Sequence, residues 1–224
     1  MIQVLELREF LVAQNRLLQL DEPRALGLRV EQVALGADGR LRARDDFLAD
    51  RIDRRVGDLR EVLLEVVEEQ LRLLAEHGNR RVVRLSKDGK ITPVIERYAG
   101  KRLNSPNDLV FAPDGSLYFT DPPFGLPKAD QDPAKEQPVN GVYRWKNGEV
   151  TLAARDLALP NGIAFSPDFK VLYVSNSDQG KRLWMRYDVA ANGELTNGKV
   201  FADATASPDA GVPDGLKVDT AGNV

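Results

Sequence analysis

The chain has no cysteine and a single histidine, His77, among 224 residues. No disulfide framework, thiolate nucleophile or cysteine-bound zinc can be built from it, and one imidazole excludes a multi-histidine zinc site. Long hydrophobic runs are missing as well, none approaching the roughly 18 to 20 apolar residues of a membrane-spanning helix. The opening MIQVLELREFLVAQ carries acids where a secretory leader carries a positive head. A net charge of -3 without any basic run argues against nucleic acid as a partner. Phosphate-binding glycine loops and nucleophilic-serine motifs are absent too.

Other absences are local. Residues 1–77 contain 12 Arg but no Lys, Tyr or Trp and only one Pro, whereas residues 78–224 hold all ten Lys, all five Tyr, both Trp and twelve Pro. Two kinds of sequence therefore meet near Glu76-His77-Gly78. The first kind is expected to be mainly helical and carries no chemical motif. Asp58-Leu59-Arg60-Glu61 has capping-box form. Val56, Leu59, Leu63, Val66, Val67, Leu71 and Leu74 follow at helical spacing, with Gly78 as the stop. An earlier helix is expected over Val4 to Leu20, and VALGADGRLRARD between the two reads as a hairpin or a loop.

From residue 76 onward the reading changes to all-β. Runs such as LVFA, SLYFT, GVYRW, VTLAA, VLYVSN and LWMRYDV lie between Pro-Asp-Gly, Lys-Asn-Gly and Ala-Asn-Gly, which are turn and hairpin signals. The stretch PNDLVFAPDGSLYFTD at 106 returns as PNGIAFSPDFKVLYVSNS at 160 and begins again as PDGLKVDTAGN at 213, so the unit is 54 and then 53 residues long. Four short strands with their turns fill such a unit, which suits the blades of a propeller.

Blade geometry assigns the repeated letter a place. If each Pro-Asn or Pro-Asp pair opens the innermost strand of its blade, Asn107, Asn161 and Asp214 converge on the axis. The second strand returns antiparallel, so Asp121-Pro122-Pro123-Phe124, Ser175-Asn176-Ser177-Asp178 and Glu76-His77-Gly78 are expected to rim the same mouth, with His77, Asp121, Phe124, Asn176 and Asn107 as substrate contacts. Amide and carboxylate oxygens brought together suit a hard divalent cation. Tyr143, Trp145 and Trp184 are expected to pack between blades.

At these residues the chain resembles a known family. HGNRRVVRL, RLNSPNDLVFAPDGSLYFTDPPFGL, NGVYRWKNGEV, LPNGIAFSPD, LYVSNSD and PDGLKVDTAGN look like the gluconolactonase branch of the senescence-marker-protein, gluconolactonase and luciferin-regenerating-enzyme family. The resemblance runs from about residue 76 to the end and does not include the first 75 residues. It implies a six-bladed propeller that hydrolyses sugar lactones with one divalent metal: calcium, zinc or magnesium. It implies that Asn161 is a metal ligand, that Asp214 is a ligand and catalytic base, and that Asn107 contacts metal or substrate. The family's remaining ligand, a glutamate in a Glu-Gly-Pro stretch, has no counterpart in this sequence.

Length sets a further expectation. Residues 79–224 number 146, fewer than three units of about 53. The chain is therefore expected to be about three blades of a six-bladed ring, a partial reading frame joined at its N-terminal side to a segment of wrong-frame character. Metal-dependent lactone hydrolysis competes with a non-catalytic calcium-binding interaction module and with an inactive fragment. The compartment is expected to be cytoplasmic by default, with the periplasm open because the native start is expected to be missing.

Overall fold

The computed structural model describes residues 33–35, 41–43 and 73–224. The chain divides into two compact units, one of Leu5–Arg72 and one built on Leu73–Val224. In the first, β1 (Val33–Leu35) pairs antiparallel with β2 (Leu41–Ala43). Of the two expected alternatives for VALGADGRLRARD, this pairing of its described residues agrees with the hairpin. The helices expected over Val4 to Leu20 and from Val56 lie outside the described residues.

The end of the second expected helix does fall within them, and it is strand. Leu73–Glu76 (β3) pairs antiparallel with Arg81–Leu85 (β4), which pairs in turn with Ile91–Ile95 (β5). The buried side chain of Leu73 packs with Val82 and Ile95. Tertiary pairing here overrides the helical spacing that carried the pattern on to Leu74.

The rest of the unit is a series of antiparallel hairpins. Arg97–Tyr98 (β6) and Lys101–Arg102 (β7) form a two-stranded ribbon. Leu109–Phe111 (β8), Leu117–Asp121 (β9), Gly141–Lys146 (β10) and Glu149–Ala154 (β11) make a four-stranded sheet in chain order. Pro160–Phe165 (β12), Val171–Asp178 (β13), Lys181–Val189 (β14) and Leu195–Asp203 (β15) make a second one. The only helical element among the described residues is one 3-10 turn, Ala129–Gln131, and no helix there is long and apolar enough to cross a membrane. Turn chemistry sets these connections. Between β8 and β9 the Asp114 carboxylate accepts the Ser116 N–H at 2.9 Å while Gly115 takes φ +78°. Between β10 and β11, Asn147 and Gly148 both have positive φ, as a two-residue primed turn requires.

The sheets pack face on face as propeller blades do. Leu117, Phe119 and Tyr143 of the first four-stranded sheet meet Leu73, Val82 and Ile95 on one side. On its other side Val110, Tyr118 and Val142 meet Ile163, Phe165, Leu172, Val174, Met185 and Tyr187. Tyr143 stacks on Phe119 with ring centroids 5.5 Å apart. Trp145 lies against the first of these clusters, and Trp184 packs with Ala164, Tyr173 and Leu216 on the far side of β12–β15.

Leu172 is fully buried in the larger cluster. Leu172→Ala removes apolar contacts and leaves a cavity, so it is expected to cost about 2–5 kcal/mol. A urea titration reads this as a lowered midpoint, and an unshifted midpoint would show that the two sheets do not share a packed core.

Candidate functional site

Asn107 stands two residues before the start of β8, and its position is gripped from several directions. The buried Arg80 guanidinium donates Nε to Leu103 O at 2.7 Å and to Asn104 O at 3.0 Å. The Asp121 carboxylate accepts Asn104 N–H at 2.7 Å and Ser105 N–H at 2.8 Å, and Asn107 N–H donates to Thr120 O at 2.9 Å. Thus fixed, Asn107 Nδ2 donates to Asn161 Oδ1 at 2.5 Å. Its own Oδ1 lies 2.9 Å from His77 Nε2, and since a carbonyl oxygen only accepts, the imidazole donates. The line continues: Asn161 Nδ2 donates to Ser177 Oγ at 2.8 Å, and Ser177 Oγ donates to Pro213 O at 2.5 Å.

Hydroxyls on the second strand of each four-stranded sheet tie it to its neighbour. Thr120 Oγ1 accepts Asp108 N–H at 3.1 Å and donates to Asn161 O at 2.7 Å. Ser175 Oγ accepts Gly162 N–H at 2.8 Å and donates to Asp214 O at 2.6 Å. The approach is so close that a Cβ on Gly162 would lie 2.5 Å from both Asp214 O and Leu216 N, which is why only glycine serves there. The Pro213-Asp214 segment therefore lies directly against the start of β12. The Asp214 side chain itself is exposed.

These contacts bring Asn107 and Asn161 together side chain to side chain, with the Asp214 backbone one step away. Residues 61–224 match the SMP-30/Gluconolactonase/LRE-like region. The chain belongs to this family. It is 39% identical over 158 residues to a gluconolactonase of Zymomonas mobilis, with 67% of this chain and 44% of that relative covered. A solved gluconolactonase from Xanthomonas campestris aligns with TM-score 0.58 at 40% identity, over 67% of this chain and 50% of that one. Regucalcin from Agrobacterium tumefaciens, described as a calcium-binding protein, aligns with TM-score 0.52 at 25% identity, over 67% of this chain and 47% of its own. The chain spans about half the length of these relatives.

Measured against a gluconolactonase-type site, the expected rim residues separate into two groups. His77 is half-buried and touches Asn107. Phe124 is exposed, and the next residue, Gly125, packs so tightly on the His77 backbone that a Cβ would lie 2.6 Å from His77 O. Asp121 and Asn176, by contrast, are not surface contacts. Asp121 is fully buried, both its oxygens taken by backbone N–H groups ahead of Pro106. Asn176 is 1% exposed and repeats that role one blade on, its Oδ1 accepting Leu159 N–H at 2.8 Å ahead of Pro160 and its Nδ2 donating to Lys181 O. Side chains alternate along a strand, so these two face away from the hydroxyls that flank them.

The donor set fits a hard divalent cation in kind. Asn107 Oδ1, Asn161 Oδ1 and the Asp214 carboxylate are all oxygens, and the first two amides are close enough to serve one ion. The amide oxygens now accept from His77 and Asn107 and would exchange those bonds for it. Among the described residues no three His, Cys, Asp or Glu side chains form a cation-binding group, so the set rests on amides and one carboxylate.

Asp108 is the neighbour that sequence reasoning passed over. Its buried carboxylate accepts Ile163 N–H at 3.1 Å across the blade boundary and Leu109 N–H at 2.9 Å. Burial raises its pKa, the charge of Lys217 opposes that, and Asp214 adds to it. The signal was present: Asp108 stands where the two later repeats have Gly162 and Gly215.

Burial also pushes the Asp121 carboxyl up to about 7, against the two N–H donors and the charges of Arg80 and Lys135. A carboxyl raised in the folded state favours folding fully below its ordinary value of 3.8 and loses that contribution as pH rises toward 7. Unfolding free energy measured by urea titration is therefore expected to fall across pH 4 to 7 more steeply in the native chain than in Asp121→Asn. Parallel pH profiles would show that Asp121 is ionised throughout.

Proposed function

We propose that this chain carries the site of a gluconolactonase-type enzyme that opens sugar lactones with the help of one divalent cation. The observation that carries the proposal is the contact of the Asn107 amide, just ahead of β8, with the Asn161 amide at the start of β12, the Asp214 backbone being held against Gly162 beside them. The gluconolactonases among its relatives support the choice of substrate class.

Asn107, Asn161 and Asp214 would hold the cation through their side-chain oxygens. Calcium suits them first, because it accepts roughly six to eight oxygens in flexible geometry, with zinc and magnesium as the alternatives. When bound, the ion supplies positive charge that polarises the lactone carbonyl and stabilises the developing oxyanion. Asp214, the exposed member of the set, takes a proton from the attacking water. His77, within reach of Asn107, would turn its ring to sugar hydroxyls once the cation takes the Asn107 oxygen. Phe124 offers an apolar face alongside. Thr120 and Asp108 hold the two inner strands in register and so keep the side chains of Asn107 and Asn161 beside one another.

Turnover of glucono-1,5-lactone, followed by acid release, tests the proposal. Hydrolysis is expected with added calcium and is expected to be lost with chelator. Asp214→Asn is expected to lower kcat by about 100-fold or more. A rate indifferent to chelator would remove the cation from the reaction. Calcium-dependent thermal stability without any turnover would favour a calcium-binding interaction module.

A further inference from the structure

We infer that Ser175 and Ser177 are a positioning pair that sets Asn161 and Asp214 relative to one another. The inference rests on the proposal that these two residues are ligands of one cation. Ser175 and Ser177 are two apart on β13, so both side chains leave the same face of the strand. Both are buried, and each hydroxyl works in both directions. Ser175 Oγ accepts from Gly162 N–H and donates to Asp214 O. Ser177 Oγ accepts from Asn161 Nδ2 and donates to Pro213 O.

A hydroxyl has one proton to give. Carbonyls 213 and 214 take both protons, and lone pairs are what remain for residues 161 and 162. That leaves the Asn161 amide one orientation. Its Nδ2 must face Ser177, and because the amide is planar its Oδ1 turns the other way, toward Asn107. The same two hydroxyls bind the carbonyls on either side of the Asp214 Cα. One short strand thus controls the amide oxygen of one proposed ligand and the backbone position of the other.

The preceding blade has half of this device. Thr120 makes the bonds equivalent to those of Ser175, reaching Asp108 N–H and Asn161 O. The position equivalent to Ser177, 55 residues earlier, is Pro122, which has no hydroxyl. Asn107 is instead oriented by His77, whose ring donates to its Oδ1. The second hydroxyl stands where an amide ligand is set against a carboxylate ligand on the segment that follows the blade.

Two measurements on the full chain test the pair, with Ser175→Ala, Ser177→Ala, Ser175→Thr, Ser177→Thr and Tyr187→Phe as variants. Tyr187→Phe removes the hydrogen bond of the buried Tyr187 to Asp156, away from the site, and controls for general destabilisation. Nuclear magnetic resonance of asparagine-labelled protein follows the Asn161 side-chain amide protons without any metal. Terbium(III) luminescence titration follows cation affinity. Ser177→Ala is expected to speed exchange of the Asn161 amide protons, and each alanine variant to weaken terbium binding by about 10- to 100-fold. The threonine variants are expected to restore both, and Tyr187→Phe to change neither. An Asn161 amide unaltered in Ser177→Ala, or terbium affinity lowered equally by Tyr187→Phe, overturns the inference. If the native chain binds no terbium while the Asn161 amide still responds to Ser177→Ala, the cation proposal fails and the orienting role of Ser177 stands.

Discussion

Between neighbouring blades a single kind of bond recurs: a hydroxyl on the second strand accepts an N–H from its own blade's inner strand and donates to a carbonyl of the next. Thr120 does this toward Asn161 and Ser175 toward Asp214. Apolar packing presses the sheets together without direction, since burial rewards area and not alignment. The hydroxyls supply the alignment. Sliding one blade along the next would leave a carbonyl and the buried hydroxyl that served it without partners, a cost comparable with losing a hydrogen bond at each.

Around this seam lies a second set of polar side chains whose business is also backbone. Asp121 and Asn176 stand toward the ends of second strands and accept N–H groups just ahead of their own blade's Pro-Asn pair, two for Asp121 and one for Asn176. Arg80 takes the carbonyls of the same segment. A turn that must present one amide at a fixed spot is thereby held through both its donors and its acceptors. These side chains look like pocket residues in the linear sequence, being acids and amides at strand ends, and their burial is what assigns them to the scaffold.

The three-fold recurrence of Pro with Asn or Asp at intervals of 54 and 53 residues was enough to read blades, their inner strands and the convergence of Asn107 with Asn161. Hairpin turns were equally legible, because Asn-Gly and Asp-Gly have few conformations to choose from. The strand at Leu73–Glu76 was not. Its leucines continue a helical spacing, and only pairing with Arg81–Leu85 decides against it. Asp108 was missed because an acid beside a repeated asparagine carries no sign of whether it faces solvent or the next strand.

Local chemistry, then, determined where this chain turns, that Pro160 and Asn161 open an inner strand while Pro106 and Asn107 stand just ahead of one, and which donor types could meet on an axis. Tertiary structure alone decided which polar side chains remain for a ligand. That choice depends on burial and on the direction of each hydroxyl and amide proton, and these are set by partners some 40 to 55 residues away along the chain, such as Asn161 for Thr120 and Ile163 for Asp108.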